Sequence, residues 1–137
     1  MTKRINLNFI FVIAAAIILS VSFSTIVSYR LFQKEVFADL ASFAGLLEEM
    51  DVLDKMKKEG VVQPEDELRI TWIAEDGVVI YDSYTRGDVL ENHKDRLEII
   101  KAMQAGEGTS IRKSQTMGRN IFFYAKKTAD GTIICIS

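Results

Sequence analysis

The residue types that most often carry out catalysis are few and isolated in this sequence. There is one histidine, His93, and one cysteine, Cys135. These two residues cannot assemble the usual zinc site of several Cys and His ligands, and no serine or cysteine is spaced to suggest a nucleophile–base pair. Asp76, Asp82 and Asp88 are scattered and lack the dense acidic loop of a calcium site. We therefore expect no catalytic residues and no metal site among these 137 residues.

Side chains suited to binding a small molecule are easier to find. Aromatic rings with polar tips and guanidinium groups both orient ligands in pockets. The candidates for a ligand pocket are Trp72, Tyr81, Arg96, Arg112 and Tyr124. The alternative for the aromatic residues is plain packing in a core, and Arg96 is also a candidate for a structural pair with Asp82. His93 is interpreted as part of a helix start, and a role in pH or ligand sensing is its alternative.

The overall charge balance excludes one broad class of partner. The chain carries 17 basic and 19 acidic residues, and its net charge is -2. Proteins that bind nucleic acid by electrostatic attraction normally show a clear basic excess. We therefore expect no nucleic-acid partner. With a single cysteine the chain cannot form an internal disulfide either, so its apolar core must hold the fold together.

The N-terminal segment has the composition of a membrane anchor. Residues 5–29 contain no charged side chain, and about 20 apolar residues are enough for a helix to cross a bilayer. Residues 1–29 are therefore predicted to be a short tail and a transmembrane signal-anchor helix, with the rest of the chain outside the cytoplasm. The alternative is a cleavable signal peptide, which would also place the domain outside.

Residues 30–60 read as one long extracytoplasmic helix that ends near Gly60. Apolar side chains recur on one stripe of this helix, at Val36, Leu40, Phe43, Leu47 and Met50. The stripe could pack on the domain's own sheet, or it could pair with the same helix of a second subunit. We favour a combination, in which a homodimer contact lies near the membrane and the sheet contact lies further out. In that arrangement Val36, Leu40, Phe43 and Leu47 form the dimer and transmission helix.

Residues 61–137 alternate between β-like runs and one further helix. The predicted strands are 68–74, 78–83, 109–114, 121–127 and 132–137, and turn sequences lie at 75–77, 117–120 and 129–131. Residues 61–67 and 84–90 are predicted to be connecting loops. Asn92 is a suitable N-cap for a helix over 93–105, and Gly106 stands where a helix ends. The fold class is therefore α+β, an antiparallel five-stranded sheet with helices on one side.

Two segments of this domain carry a resemblance to a known family. Residues 76–83 (DGVVIYDS) and 91–99 (ENHKDRLEI), followed by the glycines of 106–108 (GEG), occur in this order. The further matching positions are Ala102, Arg112, Ser114, Gly118 and Tyr124. Together they resemble the PAS-like extracytoplasmic sensor domains, called PDC or Cache domains, of phosphate-regulon-type sensor histidine kinases of Gram-positive bacteria.

The resemblance implies a sensor at the cell membrane that belongs to a two-component system. The parent protein would continue past Ser137 into a second membrane helix and a cytoplasmic kinase that uses ATP and Mg, so we expect the chain to stop before that second helix. No cofactor is expected in residues 1–137 themselves. The implied partners are a second copy of the chain, a small-molecule or cell-wall ligand, and a cytoplasmic response regulator. A chemotaxis receptor, a cyclic-dinucleotide enzyme and a stand-alone anchored or secreted binding domain are the alternatives.

Overall fold

A computed structural model of the chain describes residues 2–50, 68–84, 92–113 and 119–137, with side chains from Asn8 onwards. Two helices and five strands lie in these ranges. In chain order they are α1 (Thr2–Glu49), β1 (Ile70–Ile73), β2 (Val79–Asp82), α2 (Leu97–Ala105), β3 (Glu107–Lys113), β4 (Asn120–Lys127) and β5 (Ile133–Ile136). The α+β class and all five predicted strands are confirmed.

The N-terminal part of helix α1 is apolar and exposed. Its large apolar side chains from Phe9 to Leu31 lie on the surface. By length and composition, α1 can cross a membrane. The chain divides into two compact units, Met1–Glu35 and Val36–Ser137. The prediction of a helix that can span a membrane is thus confirmed at the level of length and composition.

The five strands form one open antiparallel sheet in the order β2-β1-β5-β4-β3. The sheet is built on hairpins, because β1 pairs with β2, β3 with β4 and β4 with β5. Strand β5 also pairs with β1 and joins the two halves of the sheet. The predicted turns at 75–77 and 129–131 are confirmed, with Gly77 and Gly131 at positive φ. Of the predicted turn at 117–120, residues 117 and 118 lie outside the described residues.

One face of the sheet is covered by the C-terminal part of α1. Leu40, Ala44 and Leu47 are buried there against side chains of β1, β2, β4 and β5. Val36 and Phe43 are partly buried against the same cluster, so the packing of the stripe on the domain's own sheet is confirmed. The apolar stripe of α1 ends earlier than the sequence predicts. Met50 lies in a turn and is 67% exposed, and α1 ends at Glu49.

The rest of that prediction lies outside the described residues. This applies to the helix beyond Met50, to its end near Gly60 and to the loop that contains Pro64. It also applies to most of the predicted connector at 84–90.

The opposite face of the sheet is covered by α2. Ile99 and Ala102 of this helix pack against Ile73, Ile133 and Cys135. The expected placement of the helices on one side is therefore corrected, since α1 and α2 contact opposite faces. The physical reason lies in the central strands. All four residues of β1 and of β5 are buried, and a strand that is apolar on both faces needs cover on both.

Helix α2 begins later than the sequence predicts. Its first residue is Leu97, and the N-cap position is held by Arg96 without a side-chain cap. The side chain of Asn92 is used in a turn instead, where its Oδ1 accepts a bond from the Lys94 amide at 2.8 Å. This competing local bond delays the helix by four residues. The predicted end is confirmed, because Gly106 adopts the left-handed conformation after Ala105.

Candidate functional site

The five predicted pocket residues lie on two different faces of the sheet. Trp72, Tyr81 and Tyr124 belong to the buried cluster under α1. Arg112 lies on the opposite face, where its side chain reaches Glu98 of α2, and Arg96 immediately precedes that helix. The five side chains therefore do not line one pocket, because the sheet separates the aromatic residues from the arginines.

The three aromatic residues under α1 serve the packing of the core. Tyr124 donates a hydrogen bond of 2.8 Å from its hydroxyl to Oε2 of Glu107, and Nε1 of Trp72 donates one of 3.1 Å to Oγ1 of Thr132. Burial and the neighbouring Glu107 raise the pKa of Tyr124 to about 12, so its hydroxyl remains a donor. The buried Tyr81 hydroxyl has no hydrogen-bond partner among the described residues. These contacts agree with the alternative for the three aromatic residues, which was packing in the core and not the lining of a pocket.

A buried carboxylate forms the centre of the α2 face. Glu98, in the first turn of α2, has an exposure of 0%. Its Oε2 accepts a bond of 2.6 Å from Oγ of Ser110, and its Oε1 accepts one of 2.5 Å from Nη2 of Arg112. A charged group that is removed from water in this way needs both partners. Glu98 thereby fixes the position of β3 beneath α2.

Arg112 is held in place by more than its carboxylate partner. Its guanidinium lies 3.9 Å from the centre of the Phe123 ring, in cation–π geometry. Its Nε is buried and has no acceptor among the described residues. The side chain as a whole is 40% exposed, so part of the guanidinium faces solvent. Arg112 is thus a fixed cation with an unused donor.

A second ion pair lies on the same face at the start of β1. Nε of Arg69 donates to Oδ1 of Asp82 at 3.1 Å and Nη2 donates to Oδ2 at 2.5 Å, in a bidentate arrangement. Sequence reasoning proposed Arg96 as the partner of Asp82 and missed Arg69. The pairing between Asp82 and Arg96 stays a prediction. Thr71 pairs with Asp82, and Arg69 is two residues before Thr71 on the same face, so the pairing of Arg69 with Asp82 depends on the register between β1 and β2.

Arg96 lies close to both of these ion pairs. Burial lowers the pKa of its guanidinium, and the positive charges of Arg112 and Arg69 lower it further. Arg96 is therefore close enough to Arg69 and Arg112 for the three positive charges to act on one another. Nearby, burial and then the charge of Glu98 raise the pKa of the Cys135 thiol to about 12. Cys135 is thus a protonated residue of the core.

The segments that carried the family resemblance contact one another. The amide of His93 donates a 2.8 Å bond to the carbonyl of Gly77, and Nδ2 of Asn92 donates one to the carbonyl of Asp76. A Cβ atom on Gly77 would lie 2.5 Å from Oδ1 of Asn92. The interpretation of His93 as part of the helix start is corrected, because α2 begins at Leu97. His93 is buried, and its backbone amide binds the β1–β2 turn instead.

Gly106 and Gly108, which follow α2, each have a specific structural role. Gly106 ends the helix, and Gly108 lets β3 pass close beneath it. A Cβ atom on Gly108 would lie 2.1 Å from the carbonyl oxygen of Glu98 and 2.9 Å from the amide nitrogen of Ala102. Gly108 therefore brings β3 near enough for Ser110 and Arg112 to reach Glu98.

Comparison with known proteins does not assign the chain to a family. Within the ranges that the structure describes, no group of three or more His, Cys, Asp or Glu side chains could hold a metal ion. No family model matches the chain, and no curated protein matches it.

Proposed function

We propose that the chain is the extracytoplasmic stimulus-sensing region of a two-component membrane sensor histidine kinase. A signal received by the domain would pass through the membrane helix to a cytoplasmic kinase that uses ATP and Mg and phosphorylates a response regulator. One observation carries this proposal. Helix α1 supplies both an exposed apolar stretch long enough for a bilayer and, at Leu40, Ala44 and Leu47, part of the core of the domain.

The packing of α1 on the sheet supports a route for the signal. Leu40 and Leu47 belong to the same buried apolar cluster as side chains of β1, β2, β4 and β5. A stimulus that repacks the sheet would change the free energy of packing of α1, and the helix would carry this bias towards the membrane. To shift a two-state receptor from one state almost fully to the other, the stimulus must favour one state by about 5.5 kcal/mol.

A polar contact adds to the coupling between α1 and the sheet. Oε2 of Glu48 lies 2.7 Å from Nζ of Lys126 on β4, and Oε1 accepts a bond of 3.2 Å from the amide of Ala129. Both charged side chains are partly exposed, so the pair contributes little to stability. It does give the end of α1 a defined register on the β4–β5 hairpin.

A homodimer is part of the proposal. The sheet covers Leu40 and Leu47, so contacts between two copies of α1 need other apolar side chains. Leu31 is one apolar side chain that is exposed on this helix and available for that purpose. A seam of two to three heptads is marginal alone, and the shared bilayer would support it.

The side of the membrane can be tested by labelling cysteines in intact cells. In a Cys135→Ala background, Lys113→Cys places a thiol on an exposed residue of β3, and Thr2→Cys places one at the start of α1. The proposal predicts that a membrane-impermeant maleimide labels the first thiol in intact cells and the second only after lysis. The reverse pattern would refute it. Loss of the N-terminal segment, seen by mass spectrometry, would favour the secreted alternative.

The alternative functions share the sensing or binding domain and differ in the output that is attached to it. A chemotaxis receptor or a cyclic-dinucleotide enzyme would keep the membrane helix and the domain and replace the kinase. A stand-alone anchored or secreted binding domain would have no cytoplasmic output. The coding sequence beyond Ser137 distinguishes these possibilities.

A further inference from the structure

We propose that Arg30 and Lys34 bind the phosphate of an anionic lipid headgroup at the end of the membrane-spanning stretch of α1. This lipid contact deepens the function proposed above and rests on it, because it requires that α1 crosses the membrane and names a lipid as a partner. Both residues belong to the compact unit Met1–Glu35, and both side chains are exposed.

The position of the two residues along α1 matches the headgroup layer of a bilayer. Residues 5–29 carry no charged side chain, and Arg30 is the first charge after them. As a helix this stretch is about 37 Å long, so it crosses a hydrocarbon core of about 30 Å. Lys34 lies one turn further, about 6 Å beyond Arg30. Because the headgroup layer on each side is about 5–7 Å deep, both cations reach the level of the lipid phosphates.

The two cations share one side of α1 and have no carboxylate on that side. Residues four apart on a helix are neighbours, with Cβ atoms about 5–6 Å apart. No Asp or Glu stands three or four residues from Arg30 or Lys34. Glu35 directly follows Lys34, and adjacent residues of a helix do not face each other. Among the described residues neither cation forms an ion pair, so the two like charges repel each other and an anion between them relieves the repulsion.

The same side of α1 is apolar on the membrane side of the two cations. Leu19, Phe23 and Ile26 precede Arg30 at steps of four, three and four residues, so they lie on its side of the helix. Each of these apolar side chains is more than half exposed. A lipid therefore meets the basic pair with its headgroup and an apolar surface with its acyl chains. A free phosphate ion would use only the basic pair.

Spin-labelled lipids test the inference with the full chain in phosphatidylcholine vesicles. The probes are spin-labelled phosphatidylglycerol and, as the reference, spin-labelled phosphatidylcholine. Electron paramagnetic resonance measures the fraction of each probe that the protein immobilises, and the two fractions give the ratio of the association constants. Lys3→Gln and Arg4→Gln are present throughout, because these basic residues lie at the other end of the helix. We expect a ratio of at least about three in favour of phosphatidylglycerol.

Three variants in this background locate the selectivity. Arg30→Gln combined with Lys34→Gln should lower the ratio to near one. An exchange of charges, Lys34→Glu with Glu35→Lys, keeps the net charge but separates the two cations, and it should remove most of the selectivity. The control is Lys94→Gln with Lys113→Gln, which removes two exposed charges from the domain and should leave the ratio unchanged.

Three results would overturn the inference. One is a ratio near one while Arg30 and Lys34 are both present. Another is full selectivity in the charge-exchange variant, which would show that overall charge attracts the lipid. The third is loss of selectivity when millimolar inorganic phosphate is added at constant ionic strength, which would identify free phosphate as the ligand. Failure of the membrane-spanning role is distinguishable, because neither spin-labelled lipid would then be immobilised, and the inference would fall with it.

Discussion

Glu98 and Arg112 form an ion pair whose two members differ sharply in burial. The Glu98 side chain is 0% exposed, whereas that of Arg112 is 40% exposed, and Nη2 of the arginine lies 2.5 Å from Oε1 of the glutamate. The pair connects α2 to β3 across 14 residues of sequence. Because only one partner is fully removed from water, the two partners are not equivalent for stability.

This asymmetry predicts different effects for the two single substitutions. Arg112→Met leaves a buried carboxylate without its cation and should lower the free energy of unfolding by about 3–5 kcal/mol. Glu98→Gln leaves a guanidinium that reaches water and keeps a hydrogen-bonding side chain, so the loss should be about 1–2 kcal/mol. Urea unfolding followed by circular dichroism measures both. Equal losses would show that Glu98 is not the buried member of the pair.

Gly108 should be less tolerant of alanine than Gly106. A Cβ atom on Gly108 would overlap the carbonyl oxygen of Glu98, and overpacking of this kind costs about 1–3 kcal/mol or more. Gly106 has open space around its Cβ position, so alanine there meets only the strain of a φ of 89°, about 1–2 kcal/mol. The melting temperatures of Gly108→Ala and Gly106→Ala provide the comparison. A larger effect at Gly106 would contradict the close approach of β3 to α2.

The contact between α1 and the sheet can be tested with two leucines of the same helix. Leu40 is 6% exposed within the core cluster, whereas Leu46 is 54% exposed. Leu40→Ala should destabilise the domain by about 2–5 kcal/mol, and Leu46→Ala should change its stability by about 0.5 kcal/mol or less. Denaturant unfolding of the full chain in detergent measures both. A small effect of Leu40→Ala would contradict the packing of α1 on the sheet, on which the proposed signal transfer depends.

The raised pKa of Cys135 predicts a loss of stability at alkaline pH. The thiol ionises in the unfolded chain near its ordinary pKa of 9.0, but in the folded domain only near 12. The unfolded state therefore releases a proton first, and the free energy of unfolding falls as pH rises from 9.0 to about 12. The slope can reach about 1.4 kcal/mol per pH unit.

Cys135→Ala should flatten this slope between about pH 9 and about pH 10. Tyr124→Phe is the control, because the tyrosine has an ordinary pKa of 10.0 and a folded pKa of about 12, so its own effect begins only above pH 10.0. Unfolding free energies at several pH values provide the test. An unchanged slope in the cysteine variant would show that the Cys135 thiol does not cause the alkaline instability.

The elements of the fold are largely predictable from local patterns. The strands were recognisable from their β-branched and aromatic residues, and the stripe of α1 from the spacing of Val36, Leu40, Phe43 and Leu47. Which face of the sheet each helix covers is not a local property of the sequence. They depend on which strands become central, and β1 and β5 became central because β5 returns to pair with β1.

The site was harder to predict than the fold. Arg112 was recognised as a candidate, but its partner Glu98 was recognised only as part of the family resemblance. The pair depends on the close approach that Gly108 permits, and on the alternation that places Ser110 and Arg112 on one face. Arg69 was missed because its pairing with Asp82 depends on the register between β1 and β2. Side-chain type indicates which residues can bind, but the register decides which ones meet.

The coding sequence beyond the codon for Ser137 tests the central claim most directly. The sensor-kinase account predicts a second apolar span of about 20 residues, then a helix with a phosphorylatable histidine and a nucleotide-binding domain. A methyl-accepting coiled coil or a cyclase domain in that position would keep the sensor and replace its output. A stop codon directly after Ser137 would contradict the receptor account and leave an anchored or secreted binding domain.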